Sequence, residues 1–319
     1  MGTAIVRVRS EDGLTWGVQQ DGEVLRLTKP YTHHSEIIRD YFEARAAFDA
    51  SIGEPVRGPL TYEAPLGQAT QIFAQGLNYA DHREESGLGE DAPENLIFAK
   101  PASAITGPNS DIIRPRDCEL LDYEIELGIV MKADVHAPTH IDDQDLAPFI
   151  GGLILCNDVS ARDHMFGGPM LQWFKGKGHR TFCPAGPILF LPDEADLAQL
   201  SSLNLTLTLN GEVKQSASTA QLIHKPAKTI NDISSFANLN CGDLILTGTP
   251  GGVLAGASLR AGLAVMLNLT NDARRRRKFV AAQLARTRFL APGDELQLEI
   301  RSEDGEIDLG RQTNRIVQG

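Results

Sequence analysis

Residues 120–131, "LLDYEIELGIVM", set the strictest condition on any fold this chain can adopt. Successive side chains of a strand point to opposite faces. Leu121, Tyr123, Ile125, Leu127 and Ile129 therefore share one face, and Asp122, Glu124 and Glu126 share the other. The apolar face demands a core. The acidic face demands either water or something positive.

A second acidic position bears on that choice. "GGLILCNDVSARD" runs through apolar residues and then delivers Asn157 and Asp158 at the end of a buried strand. An aspartate there is costly unless it is paired or metal-bound. If this end approaches Glu124 and Glu126, three carboxylates converge and repel one another until a cation neutralises them. Oxygen-only ligation favours Mg²⁺ or Mn²⁺, with Ca²⁺ as a further option. Zinc would recruit His or Cys, and the sequence holds no HExxH motif. The competing reading is a half-exposed strand with its polar side in water.

The surrounding pattern is that of a sheet-rich α+β protein. Residues 3–28 alternate apolar and polar around turn signals, as a small meander would. "HSEIIRDYFEARAAFDASI" has helical spacing, and "GEPVRGPLTYEAPLG" reads as a linker. This divides the chain into a small N-terminal β/α domain, 1–65, and a larger domain, 66–319. Most later segments are strands, with "LNGEV" marking an Asn-Gly hairpin and "AKTINDISSFANL" the clearest helix.

With 319 residues and a formal charge of −12, general binding to nucleic acid or anionic membrane is disfavoured. A small anionic substrate needs only a local cluster of Lys and Arg. The segment "NDARRRRKFVAAQLARTRF" is expected to be a helix within a basic insertion, 270–290. Its arginines more often form a solvated face or subunit contact than a nucleic-acid site. No stretch reads as a signal peptide or a membrane span, and the four cysteines form no CxxC pair. A cytoplasmic location is expected.

Seven motifs occur in order: "GLNYADHREESG", "FAKPASAITGPNSDIIRP", "LDYEIELGIVM", "GGLILCNDVSARD", "KGKGHRTFCPAGP", "LNGEVKQSAST" and "GDLILTGTPGGV". Together they resemble the fumarylacetoacetate hydrolase family over residues 70–253, and again at "FLAPGDELQLEI". The resemblance implies a mixed β-sandwich roll and a homodimer. It assigns the metal to Glu124, Glu126 and Asp158, the residues that strand geometry had singled out.

The same resemblance places His82 and Glu85 on a lid helix as a water-activating dyad, since positions i and i+3 share a helix face. Gly87 and Gly89 would suit a hinge or simply end that helix. Lys177 is implied to bind a substrate oxygen. Arg162, Thr249, Asn78 and Tyr79 are implied substrate contacts. Read without the resemblance, each of these is more often a surface charge, a turn or a packing residue. Two departures stand out. Where the family reads Ser-Phe-Asp after the lysine, this chain has Gly178, His179 and Arg180. The basic segment is also an addition of about one helix.

The expected activity is metal-dependent hydrolysis of a C–C bond in a 1,3-diketo acid. Examples are fumarylpyruvate, maleylpyruvate or a diketo-deoxy sugar acid, met in aromatic-ring and deoxysugar-acid catabolism. The products are a 2-oxo acid and a carboxylic acid. The same centre would also serve oxaloacetate decarboxylation or tautomerisation, or sugar-acid dehydration. A non-catalytic binding protein is the reading from another class.

Overall fold

The computed structural model describes residues 2–87, 94–166, 170–256 and 271–319. Alternating residues open it as a meander of β1 (Thr3–Ser10), β2 (Gly13–Gln20) and β3 (Glu23–Leu27). Ile37, Ile38 and Tyr41 give α1 (His34–Glu43) its buried stripe, and the His33 side chain accepts the Ser35 N–H at its start. The single helix expected here is two, because Ala44 leaves helical geometry (φ −137°, ψ 46°) before α2 (Arg45–Ala50). β4 (Ile52–Pro55) and β5 (Thr61–Glu63) follow.

Then come β6 (Ile72–Gly76), α3 (Ala80–Glu85), β7 (Leu96–Lys100), β8 (Ile105–Thr106) and β9 (Ile112–Arg114). The acidic stretch forms two strands, β10 (Leu121–Asp122) and β11 (Ile125–Met131), with a break at Tyr123 and Glu124. β12 (Ile150–Asn157) and β13 (Ser160–Ala161) lead into α4 (Arg162–Phe166) and α5 (Trp173–Lys177), then β14 (Cys183–Leu191) and α6 (Glu194–Ala198). β15 (Asn204–Leu209) and β16 (Glu212–Ser218) make the expected hairpin, whose turn puts Asn210 and Gly211 at φ 52° and 83°. The chain ends with α7 (Pro226–Ser234), β17 (Leu244–Leu246), α8 (Asp272–Leu284), β18 (Glu295–Arg301) and β19 (Asp308–Gln318).

Among the described residues the strands form a mixed 12-stranded sheet, ordered β4-β3-β2-β1-β14-β12-β11-β17-β6-β7. β5 and β8 pair beside that path. A 5-stranded sheet runs β16-β15-β18-β19-β9, and β10 pairs with β13 alone. The 1–65 stretch enters the large sheet through β1, which pairs antiparallel with β14.

Leu127, Leu153, Leu205, Leu298 and Ile316 belong to one apolar cluster joining the two sheets. Val130, Ile154, Leu189 and Leu244 belong to a second, closed by Ile37 and Ile38 of α1. The large sheet is thus covered on both sides, and β11 is buried at every residue. No described helix is long and apolar enough to cross a membrane.

Register gathers the polar positions at one end. Ile125 pairs with Asn157 and Glu126 with Cys156. Gly128 pairs with Leu246, so the residues after β17 come alongside Glu126. Leu246 in turn pairs parallel with Ala74 of β6, so the segment leading to α3 leaves from the same end.

Candidate active site

Glu124 occupies the break between β10 and β11, held by two ties to the end of β12. Its N–H donates to Asn157 Oδ1 at 3.0 Å, and its carbonyl accepts the Asp158 N–H at 2.8 Å. This brings Glu124, Glu126 and Asp158 together, all buried, with ligand oxygens within 4.8 Å of one another. The acidic face of the opening stretch therefore looks neither at water nor along an open sheet. It looks at cations.

Lys177 Nζ lies 2.7 Å from Glu124 Oε2 and 2.5 Å from Asp158 Oδ2. Arg162 Nη2 lies 2.5 Å from Glu124 Oε1 and 2.9 Å from Asp122 Oδ2. Lys100, at the end of β7, pairs with Asp158 and donates to the carbonyls of Lys177 (2.6 Å) and Phe182 (3.1 Å). Four buried carboxylates thus face three buried cations.

The cations are unevenly shared. Burial opposes ionisation of Glu124, but Lys177 and Arg162 outweigh it and hold the carboxyl at about 2. His82 adds to that effect. Glu126 receives the Gly248 N–H at 2.7 Å, while burial and the charges of Asp158 and Glu124 push its pKa well up. It is the carboxylate for which a further cation does most. Hard oxygen donors, buried and short of positive charge, fit a divalent ion such as Mg²⁺ or Mn²⁺.

His82 on α3 is buried, and its Nδ1 has no hydrogen-bond partner. Glu85 Oε2 stands 3.9 Å from it, beyond hydrogen-bond reach. The Glu85 carboxylate instead accepts the Gly252 N–H at 3.0 Å. His82 beside it and that N–H hold Glu85 below the usual carboxylate range. Gly87 follows α3 with φ 75°, while Gly89 lies outside the described residues.

The other expected contacts fall into different roles. Asn78 spends its amide on backbone, donating to the His224 and Thr247 carbonyls and accepting the His224 N–H. It fastens a loop, with both donors occupied. Tyr79 is fully buried, its hydroxyl has no partner, and burial and Glu126 push its pKa up. Thr249 is buried and accepts from Gln215 Nε2 at 2.8 Å. His179 turns to His164, 3.0 Å away, and Arg180 is exposed.

Sequence reasoning missed Lys100, Gln215 and the part played by Asp122. Lys100 ends a strand as Asp158 does, so the same logic of a charge closing a buried run could have found it. Asp122 shared the acidic face and was left without a role. It accepts from Arg162 and from the Leu254 and Ala255 N–H groups.

A family model described as the C-terminal part of fumarylacetoacetate (FAA) hydrolase matches residues 71–317. The mitochondrial oxaloacetate tautomerase FAHD2A of Bos taurus is 39% identical over 197 residues, 62% of this chain and 61% of that one. This chain therefore spans about 61% of the length of that relative. The 2,4-didehydro-3-deoxy-L-rhamnonate hydrolase of Sphingomonas sp. (strain SKA58) is 37% identical over 206 residues, 65% of this chain and 70% of that one. Among solved structures, a fumarylacetoacetate hydrolase from psychrophilic Exiguobacterium antarcticum superposes with TM-score 0.74 at 25% identity. The match covers 99% of this chain and 100% of the other.

Proposed function

We propose, from the premise that the chain belongs to the fumarylacetoacetate hydrolase family, that it is a divalent-metal-dependent C–C hydrolase. Its substrate would be a 1,3-diketo acid of the acylpyruvate or diketo-deoxy sugar acid type, split into a 2-oxo acid and a carboxylic acid. One observation carries this reading. A buried imidazole with an unpartnered nitrogen, His82, sits on the helix that leaves the same end of the sheet as the buried acidic centre.

Glu124, Glu126 and Asp158 would hold Mg²⁺ or Mn²⁺, and the ion when bound supplies Lewis-acid polarisation of the 2-oxo-acid end. Lys177 and Arg162 keep Glu124 ionised and add positive field for an anionic substrate. The Thr249 hydroxyl donates to the substrate carboxylate. His82 takes a proton from the water that attacks the distal carbonyl and returns it to the carbon released by the cleavage, while Glu85 orients and stabilises the imidazolium. Lys177 donates to the oxygen that gains charge as the bond breaks.

A second reading, oxaloacetate tautomerase, is favoured by the loose His82–Glu85 pair, because moving a proton along the substrate needs no activated water. The relative named for that activity adds support. The test is turnover of acylpyruvates and of oxaloacetate, with Mg²⁺, Mn²⁺ or EDTA, beside Glu124→Ala and His82→Ala. Metal-dependent C–C cleavage lost in both variants supports the hydrolase. Enol–keto exchange of oxaloacetate without cleavage of any acylpyruvate supports the tautomerase.

The proposal includes a cytoplasmic homodimer with no nucleic-acid or membrane partner. Met170, Leu171 and Phe174 are exposed apolar residues suited to a subunit contact. Sedimentation of the purified chain checks the dimer.

A further inference from the structure

We infer that Gln215 is a positioning residue that turns the Thr249 hydroxyl hydrogen toward the ligand, so that this side of the site favours a carboxylate oxygen over a donor group. The inference rests on the proposed role of Thr249 in holding the substrate carboxylate.

Gln215 lies on β16 in the small sheet, is 1% exposed, and reaches two parts of the site at once. Its Oε1 accepts the N–H of Ile125, the residue between Glu124 and Glu126, at 3.0 Å. Its Nε2 donates to Thr249 Oγ1 at 2.8 Å and to the Pro250 carbonyl at 2.8 Å, with Gly251 O more distant at 3.5 Å.

The two ends of an amide are hard to distinguish by shape alone, but here the backbone decides. The Ile125 N–H can only donate, and the Pro250 carbonyl can only accept. A flipped Gln215 would set N–H against N–H and oxygen against oxygen, so one orientation survives. Thr249 Oγ1 then accepts a hydrogen bond from Nε2 and must turn its own hydrogen elsewhere.

The loop is held to this geometry. Thr247 donates to the Leu127 carbonyl at 2.9 Å, and the Gly248 N–H donates to Glu126. Gly252, at φ 97°, passes so close to β16 that a Cβ there would lie 2.0 Å from the Lys214 carbonyl. Only glycine allows that approach. Thr249 therefore sits one residue beyond the N–H that meets Glu126, with its hydroxyl direction set from behind. No acceptor for that hydrogen occurs among the described residues, which leaves it for a ligand oxygen.

The test is a double-mutant cycle read by calorimetric binding of oxalate, a planar dianion resembling a 2-oxo acid, in Mg²⁺. Gln215→Glu keeps an acceptor for Ile125 but draws the Thr249 proton back toward itself. Gln215→Met removes the restraint at similar volume. Both variants should weaken oxalate by about tenfold. In the Thr249→Val background the same changes should matter by less than about twofold. With substrate, KM should rise by about tenfold while kcat stays within about twofold, the sign of lost uniform binding.

Equal weakening in both backgrounds would show that Gln215 acts only by holding the loop, and would overturn the inference. So would unchanged oxalate affinity, or failure of the unmodified protein to bind oxalate. If oxalate binds with the expected Gln215 dependence but no acylpyruvate is cleaved, the functional reading fails and the positioning role stands.

Discussion

His82 Nδ1 and Glu85 Oε2 stand 3.9 Å apart, and the Glu85 carboxylate is engaged by the Gly252 N–H. A modest rotation of Glu85 would release that amide and couple the acid to the imidazole, completing the dyad that hydrolysis needs. His82→Ala should reduce acylpyruvate cleavage by about 100- to 10,000-fold. Glu85→Gln should cost about tenfold in kcat and spare any oxaloacetate tautomerisation. Equal loss of both reactions in Glu85→Gln would separate Glu85 from water activation.

Lys177 is 2% exposed and bridges Glu124 and Asp158. Replacing it with Met leaves Glu124 only Arg162 and Asp158 only Lys100 as cationic partners, with one buried positive charge gone. The metal-free variant should lose about 3–5 kcal/mol of stability in urea melts. Mg²⁺ should restore part of that loss while turnover stays absent. An unchanged metal-free midpoint would contradict the ion pairs described.

Metal removal should leave a pH signature at Glu126. Its folded pKa is raised, so in the metal-free protein its contribution is full below the unfolded value of 4.5 and is lost as pH rises through the folded pKa. Glu124, lowered to about 2, acts oppositely, and its contribution is lost as pH falls from 4.5 toward 2. Glu126→Gln should flatten the metal-free decline above pH 4.5 and abolish Mg²⁺ binding, as followed by thermal unfolding with and without EDTA.

His34 supplies an acid-side effect far from the centre. Its Nδ1 accepts the Gly67 N–H at 3.0 Å and its Nε2 donates to the Gly242 carbonyl at 2.8 Å, which fixes a neutral ring. Burial, then His33, lower its pKa from 6.5 to about 3. Stability present above pH 6.5 should fall as the solution is acidified, by about 2 kcal/mol at pH 5 from this group. Urea melts at pH 7.5 and 5 should show that component missing in His34→Gln.

The basic helix α8 is docked by its charges. Arg276 reaches buried Asp163 at 2.8 Å and the Asp117 carbonyl, and Arg275 is buried beside Asp272. Arg276→Ala should cost about 1–2 kcal/mol and speed tryptic cleavage within 274–278. Salt-sensitive retention on nucleic acid should be absent, and its presence would reopen the binding-protein reading.

Much of the centre could be read from local pattern, because a carboxylate breaking an apolar strand is costly wherever that strand lies. Glu124, Glu126 and Asp158 are of that kind, as is the Asn210–Gly211 turn. Their partners were harder to see. Lys100 meets Asp158 across 58 positions, and Gln215 meets Ile125 across 90. No spacing rule links such distant residues. The break at Ala44 also lacked a signal, since neither Pro nor Gly marks it. Asn78 was misleading for a related reason. Its amide chemistry suits a ligand as well as a backbone, and only the loop beside it decides between them.

The pairing of β1 with β14 gives the chain a schedule. Val6 pairs with Ile188, and β1 has Ile5, Val6 and Val8 fully buried in the finished sheet. At about 5–20 residues per second, a ribosome that has made residue 10 needs roughly ten to forty seconds to finish β14. Throughout that interval the meander lacks the edge it must join. A nascent chain released within it would carry β1 paired to β2 on one side but bare along Thr3–Val6 on the other, the kind of edge that holding chaperones engage.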